Sequence, residues 1–225
     1  MSLNDTIAWF NEVGSEQTKQ DMLRYGIPND NAVGIPMGVL KAKGKRIGTD
    51  PELARALWST GIYEARTLAV FVHEPNEISE DEADHWVADF DGWAICDTAC
   101  FHLIDRTAFA WDRINIWAAS DREFVRRAAF ATIWGLSGHD KTASDEKFQS
   151  ALDIIAFAPP DDRPLVRKAV NMALRAVGKR NLRLNKAAID VASTLMKEST
   201  KDRQWIGRHA LRELESEKVQ SKLRV

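Results

Sequence analysis

The chain has 225 residues, of which 44% are hydrophobic and 28% charged. That is the balance of an ordinary globular protein, and it excludes a disordered chain, a collagen and a disulfide scaffold. No run approaches the ~20 apolar residues of a membrane-spanning helix, so a membrane is not expected among the partners.

A chain of this length buries roughly 70% of its unfolded surface and needs no cross-links. Its two cysteines, Cys96 and Cys100, stand four apart. No apolar leader precedes them, so the expectation is a reduced protein of the bacterial cytoplasm and nucleoid. The net charge of -2 is unevenly spread. From Thr67 to Asp105 there is no lysine or arginine, and from Arg163 to Ile189 there is no acid. Local patches make the field that a polyanion meets, so a net charge near zero does not exclude one. Solvated helix faces are the plain alternative.

Along the chain, breaks fall at Pro28, Pro36, Pro51, Gly61, Pro75, Gly138, Pro159, Pro160, Pro164 and Gly178. The segments between them carry apolar residues three and four apart, which predicts helices. A basic knot, Lys41, Lys43, Lys45 and Arg46, precedes the helix marked by Ala54, Leu57 and Trp58. Ser79 with Glu82 has the form of a capping box. A helix is expected to start near Asp91, another runs through Val125, Ala129 and Ile133, and a third from Val166 to Val177. Gly178 after it suits a left-handed helix end. No stretch alternates with period two, so the chain reads as all-α with ten to thirteen helices.

Three of these segments resemble one another. "FVRRAAF", "LVRKAVNMALRAVG" and "WIGRHALREL" align on Arg127, Lys168 and Arg208, in steps of 41 and 40 residues. "YEARTLAVFV" fits the same template with Arg66. A helix pair repeated every ~40 residues is the signature of a HEAT or armadillo-like solenoid. The expected architecture is one domain over 1–225, a right-handed superhelix of antiparallel helix pairs. Capping helices would occupy 1–30, repeats 31–218 and a tail 219–225. Arg66, Arg127, Lys168 and Arg208 would form a basic ladder on one surface, or else pair with acids of neighbouring repeats.

Asp97 is the sharpest single feature. It sits mid-helix in "DGWAICDTACFHLI", with Trp93 one turn before it and Phe101 one turn after. Aspartate is a poor former of helix interiors. On an aromatic-flanked face it is either paired with an arginine of the next repeat or turned toward a functional groove. Cys96 and Cys100 could share a metal on successive turns, but a closed site needs two more ligands. His102 stands near them, but His73, His85, His139 and His209 show no ligand spacing, so both cysteines are assigned to the core and neither metal nor cofactor is expected. Trp93 beside Asp97, and Trp205 beside Arg208, have the aromatic-with-charge pattern of a base or sugar contact. Core packing is the alternative for each.

In order along residues 20–215, "YGIPNDNAVGIPMGVLKAKGKRIG", "ALWSTGIYEARTLAVFV", "GWAICD", "FVRRAAF" and "VRKAVNMALRAVGKRN" resemble five successive elements of the AlkD-type DNA alkylation-repair glycosylases. The resemblance implies a HEAT-like solenoid gripping duplex DNA, a monomer that releases N3- or N7-alkylated purines by hydrolysis of the N-glycosidic bond. Carried over, Asp97 is the catalytic carboxylate, Trp93 the aromatic beside it and Arg127 the basic residue completing the site. Arg66, Arg126, Arg167, Lys168, Arg175, Lys179, Arg180 and Arg208 are the expected DNA contacts. The family often has tryptophan where this chain has Met172, a candidate lesion wall, and aspartate where it has Ala94. These departures leave open a non-catalytic binder of DNA structures in the same family. A HEAT-type protein-binding scaffold is the reading outside it.

Overall fold

Side-chain caps mark most helix starts in the first half. The computed structural model describes residues 1–223, and among these it contains fourteen α-helices and no strand. The helices gather into two compact units, Met1–Ala108 and a second from Phe109 onward.

The first unit holds α1 (Leu3–Val13), α2 (Glu16–Arg24), α3 (Met37–Ile47), α4 (Pro51–Trp58), α5 (Tyr63–Val72), α6 (Glu80–Ala88) and α7 (Trp93–His102), then a 3-10 turn at Ile104–Arg106. Ser2, Ser15, Asp50 and Ser79 each accept a backbone N–H of the first turn that follows. The Ser79 cap is not the reciprocal box its spacing predicts. Glu82 Oε1 and Oε2 instead accept from Arg55 Nε at 3.0 and 3.1 Å. A complete box joins Ser2 and Asp5. Helix α5 is the centre of the unit, packed against α3, α4 and α7. Its Glu64 is wholly buried and accepts from three consecutive backbone N–H groups, Val33 at 2.9 Å, Gly34 at 2.7 Å and Ile35 at 3.2 Å. This ties the segment before α3 onto α5. Gly34 has φ +82°, and a Cβ there would lie 2.1 Å from Ser15 O, so only glycine fits. Trp58 stacks on Trp86 with ring centres 4.0 Å apart.

The second unit holds α8 (Ala110–Ala118), α9 (Glu123–His139), α10 (Asp145–Phe157), α11 (Pro164–Val177), α12 (Leu182–Lys197), α13 (Lys201–Leu214) and α14 (Glu217–Leu223). Here the repeat is visible as packing. Helix α8 pairs with α9, α10 with α11 and α12 with α13, while α9, α11 and α13 pack on one another in a row and α10 packs on α12. The row is the set of segments that aligned in sequence. The α12–α13 pair closes tightly at Gly207, where a Cβ would meet Ala192 O and Met196 N at 2.5 Å.

Further expectations are corrected. The helices among the described residues number fourteen rather than ten to thirteen, because short helices such as α2, α6 and α14 hide in polar sequence. Helix α7 starts at Trp93 behind Gly92, two residues later than Asp91. Gly178 is not left-handed, since its φ is -67°. It is small because a Cβ would come within 2.7 Å of Leu214 Cδ2 and 2.8 Å of Ala188 Cβ. The stretch expected as a tail, 219–225, is helical to Leu223 with Val219 buried; residues 224–225 lie outside the described residues.

Candidate nucleic-acid interface

Helix α11 buries Val166, Ala169, Val170, Ala173, Leu174 and Val177. The 3.6-residue period then turns Lys168, Met172 and Arg175 to one flank and Arg167, Asn171 and Arg175 to the seam with α13. On α13, Trp205, Arg208, His209 and Arg212 fall at i, i+3, i+4 and i+7, one stripe of the helix. The two stripes meet. Asn171 Nδ2 donates to Ile206 O at 3.1 Å, and the Arg167 guanidinium lies 4.6 Å from the Trp205 ring centre. Arg175 donates to Asn171 Oδ1 at 3.2 Å and is ion-paired with Glu213, which also takes Lys179 Nζ at 2.8 Å. Burial lowers the affinity of Arg175 for its proton, and the Arg212 charge lowers it further. Lys179 is lowered by burial and then by Arg175. A region where cations already repel one another gains most from an arriving anion.

Of the expected DNA contacts, this seam brings together Arg167, Arg175 and Arg208, with Lys168 exposed beside them and Lys179 joined through Glu213. Met172 is half-buried between Lys168 and Arg175 on the same flank. Trp205 was legible as an aromatic near Arg208; His209 and Arg212 were missed. Their spacing from Trp205 is the signal that would have found them.

The other expected contacts, Arg66, Arg126 and Arg180, face partners of their own, as does Arg127, expected as the basic residue of the catalytic site. Arg126 is 6% exposed, donates to Ser120 O at 2.7 Å, and pairs with Asp161 at 2.9 Å. Burial alone would raise the Asp161 pKa, but hydrogen bonds from Arg163, then Arg126, hold it below the ordinary carboxylate range. Arg127 is 3% exposed, and its Nη1 donates to Leu165 O in the first turn of α11. Arg180 donates to Ser137 O at 2.8 Å with its guanidinium 3.8 Å from the Phe148 ring centre. In the first unit, Arg66 donates to Asp89 O at 3.0 Å and pairs with Asp89 Oδ2 at 3.3 Å. For Arg66 the structure therefore gives the pairing alternative to a ladder.

Helix α7 in the first unit is almost entirely interior. From Trp93 to Cys100, every residue except Trp93 and Asp97 is buried. Cys96 and Cys100 are free thiols at 0% exposure, in the core as expected. Asp97 is half-buried one turn above Trp93, so the open stripe of this helix is an indole followed by a carboxyl. The indole is fixed: Trp93 Nε1 donates to Tyr25 O at 2.9 Å. Beside the start of α7 lies a cavity of about 70 Å³, with Asp30, Tyr63, Arg66 and Asp91 on its walls. Burial pushes the Tyr63 hydroxyl up to about 12, so it remains a neutral donor at physiological pH.

Set beside known proteins, residues 6–214 match the family model described as DNA alkylation repair enzyme. A solved structure described as a new family of proteins related to the HEAT-like repeat DNA glycosylases, with affinity for branched DNA structures, is similar at TM-score 0.78 and 22% identity. The match covers 99% of this chain and 96% of that one. A designed armadillo repeat protein is matched at TM-score 0.37 and 15% identity, over 79% of this chain and 92% of that one. No curated protein matches. The helix-pair repeat of the second unit agrees with the HEAT-like fold of the first of these structures. With the family model spanning nearly the whole chain, the protein belongs to the DNA alkylation repair enzyme family.

Proposed function

We propose that this protein binds double-stranded DNA through the α11–α13 seam and releases N3- or N7-alkylated purines, with Asp97 as the group that acts on the sugar. The observation that carries the reading is the open stripe of α7, where the only residues of Trp93–Cys100 left unburied are an indole and a carboxyl. Aspartate is a poor former of helix interiors, so propensity does not account for it there. The chemistry suits the pair. An N7- or N3-alkylated purine carries a positive charge, so it leaves without a general acid. What remains is to stabilise the oxocarbenium-like sugar and direct a water at it, and a fixed carboxylate does both. An indole held by its own N–H presents a π-face that attracts the cationic base. Arg127 is buried, with its Nη1 donating to Leu165 O.

A second reading is favoured by Met172 and Ala94. Ala94 is 6% exposed, so an aspartate in its place would be buried, and Met172 gives the seam a thioether where an indole would stack. A member of the family that binds branched DNA without excising bases fits those residues. Incubation with N-methylated duplex, followed by chromatography of the released bases, separates the readings. Free N7-methylguanine or N3-methyladenine above the spontaneous rate supports excision. Tight binding to a four-way junction with release at the spontaneous rate supports the second reading.

A further inference from the structure

His209 stands in the middle of the α13 stripe. Its ring centre is 4.1 Å from that of Trp205, and its Nδ1 is 3.4 Å from Arg212 Nη2. A guanidinium only donates, so Nδ1 accepts in this contact and the ring proton sits on Nε2; the ring is neutral. Charges reach it from two helices. Burial, then Arg212, Arg175, Arg208 and Arg167, hold the imidazole below its ordinary pKa. Past Arg175 lie Glu213 and Lys179, and α14 adds Lys218 and Lys222, whose charge reaches Lys179. Helix α12 meets α13 at Gly207, roughly 200° around the helix from His209, so its side chains face elsewhere.

Two features leave this cluster with donors to spare for an anion. The Nε atoms of Arg167 and Arg175 are buried without a hydrogen-bond partner. Among the described residues, Arg167, Arg208 and Arg212 have no carboxylate partner.

We propose that this cluster is a phosphate site, where one DNA backbone phosphate seats between His209 and Arg212 and binds with uptake of a proton by His209. The proposal rests on the DNA-binding reading above. A proton on Nδ1 would set two donors against each other, because Arg212 already points an N–H at that atom. A phosphate oxygen between them accepts from both, and its charge offsets the arginine field that keeps the ring neutral. The proton comes from solvent and no covalent bond changes. The bound complex therefore has the higher imidazole pKa, and affinity rises as pH falls through the range around the ordinary imidazole value of ~6.5. One linked proton limits the gain to about tenfold per pH unit.

The test is duplex affinity by fluorescence anisotropy between about pH 6 and about pH 8 at fixed salt. It is run on the wild type, on His209→Gln and on His139→Gln, an exposed histidine outside the seam. The expected result is a three- to tenfold tightening from high to low pH for the wild type and His139→Gln, and a flat profile for His209→Gln. In parallel, imidazole NMR of the unsubstituted protein follows the His209 resonance, which saturating duplex should move to a higher pKa. A wild type that binds with a flat profile, or a His209→Gln protein that keeps the slope, overturns the proposal and leaves DNA binding standing. A His209 pKa raised by inorganic phosphate and not by duplex also overturns it, assigning the cluster to a free anion. A wild type that binds no DNA at any pH overturns this proposal and the DNA reading together.

Discussion

Glu64 is a glutamate at 0% exposure, and its carboxylate accepts from three backbone N–H groups of one segment. Its charge is matched by those three donors. Glu64→Gln keeps the shape but turns an N–H of its own toward them. It should cost about 1–3 kcal/mol, read as a lowered midpoint in urea denaturation with far-UV circular dichroism. An unchanged midpoint would mean that the 33–35 segment contributes nothing to stability. Nothing in the sequence warns of this role, because a glutamate in the first turn of a helix reads as an ordinary dipole partner. Asp97 drew attention for the opposite reason: aspartate is a poor former of helix interiors, so a mid-helix carboxyl asks for a partner or a function. Gly178 was noticed for the wrong property. Its backbone is helical, and its small size serves the approach of Leu214 and Ala188, which no local signal encodes.

At the scale of elements, the second unit is laced by a buried ionic cluster between helices. Asp161 accepts from Arg126 and Arg163, and Asp202 Oδ2 accepts from Asp161 N at 2.9 Å. Arg203 closes the end of α10 by donating to Ala156 O and Ala158 O. The Asp161 pKa is lowered on folding, so its contribution is full above the unfolded value of ~3.9 and is lost as pH falls through the lower folded value. Stability should therefore hold at neutral pH and fall steeply only in acid. Asp161→Asn should flatten part of that fall while costing about 3–5 kcal/mol at neutral pH. Thermal melts from neutral to acid pH on both proteins check it, and parallel curves would contradict it. Gly207→Ala tests the α12–α13 contact: a Cβ against two backbone atoms forces the helices apart, at a cost of about 1–3 kcal/mol in the same melts. The helix row was legible because α9, α11 and α13 share a template spaced by one repeat. The ionic cluster was not, since Arg126 and Arg203 look on paper like any surface arginine. Only packing shows that they are buried.

For the whole molecule, the resemblance in five ordered motifs carried the family and the HEAT-like fold, and periodicity alone carried the all-helical class. The distribution of charge carried less. An acid-free stretch from Arg163 to Ile189 reads as one basic surface, whereas its arginines divide between the seam and partners within the fold. On the proposed DNA reading, the expected contacts left for phosphates are Lys168 and Arg208, both exposed, and the cluster around His209 joins them. Duplex affinity should fall with salt at a log–log slope of about -0.9 per phosphate engaged. Lys168→Glu with Arg208→Glu should reduce that slope by about two contacts and weaken binding alike on any sequence. A double variant with wild-type affinity and slope would remove the seam from DNA binding.

The central claim is that Asp97 acts on the sugar. Its most direct test is the single-turnover rate of purine release from N-methylated duplex by wild type and Asp97→Asn, with melting temperature measured on the same preparations. A fixed charge at an oxocarbenium-like centre is worth ~3–4 kcal/mol, so the variant should release methylated purine about 100- to 1000-fold more slowly with its melting temperature unchanged. Equal rates, or a rate that falls only in step with a lowered melting temperature, would contradict the claim and make Asp97 a structural residue of α7.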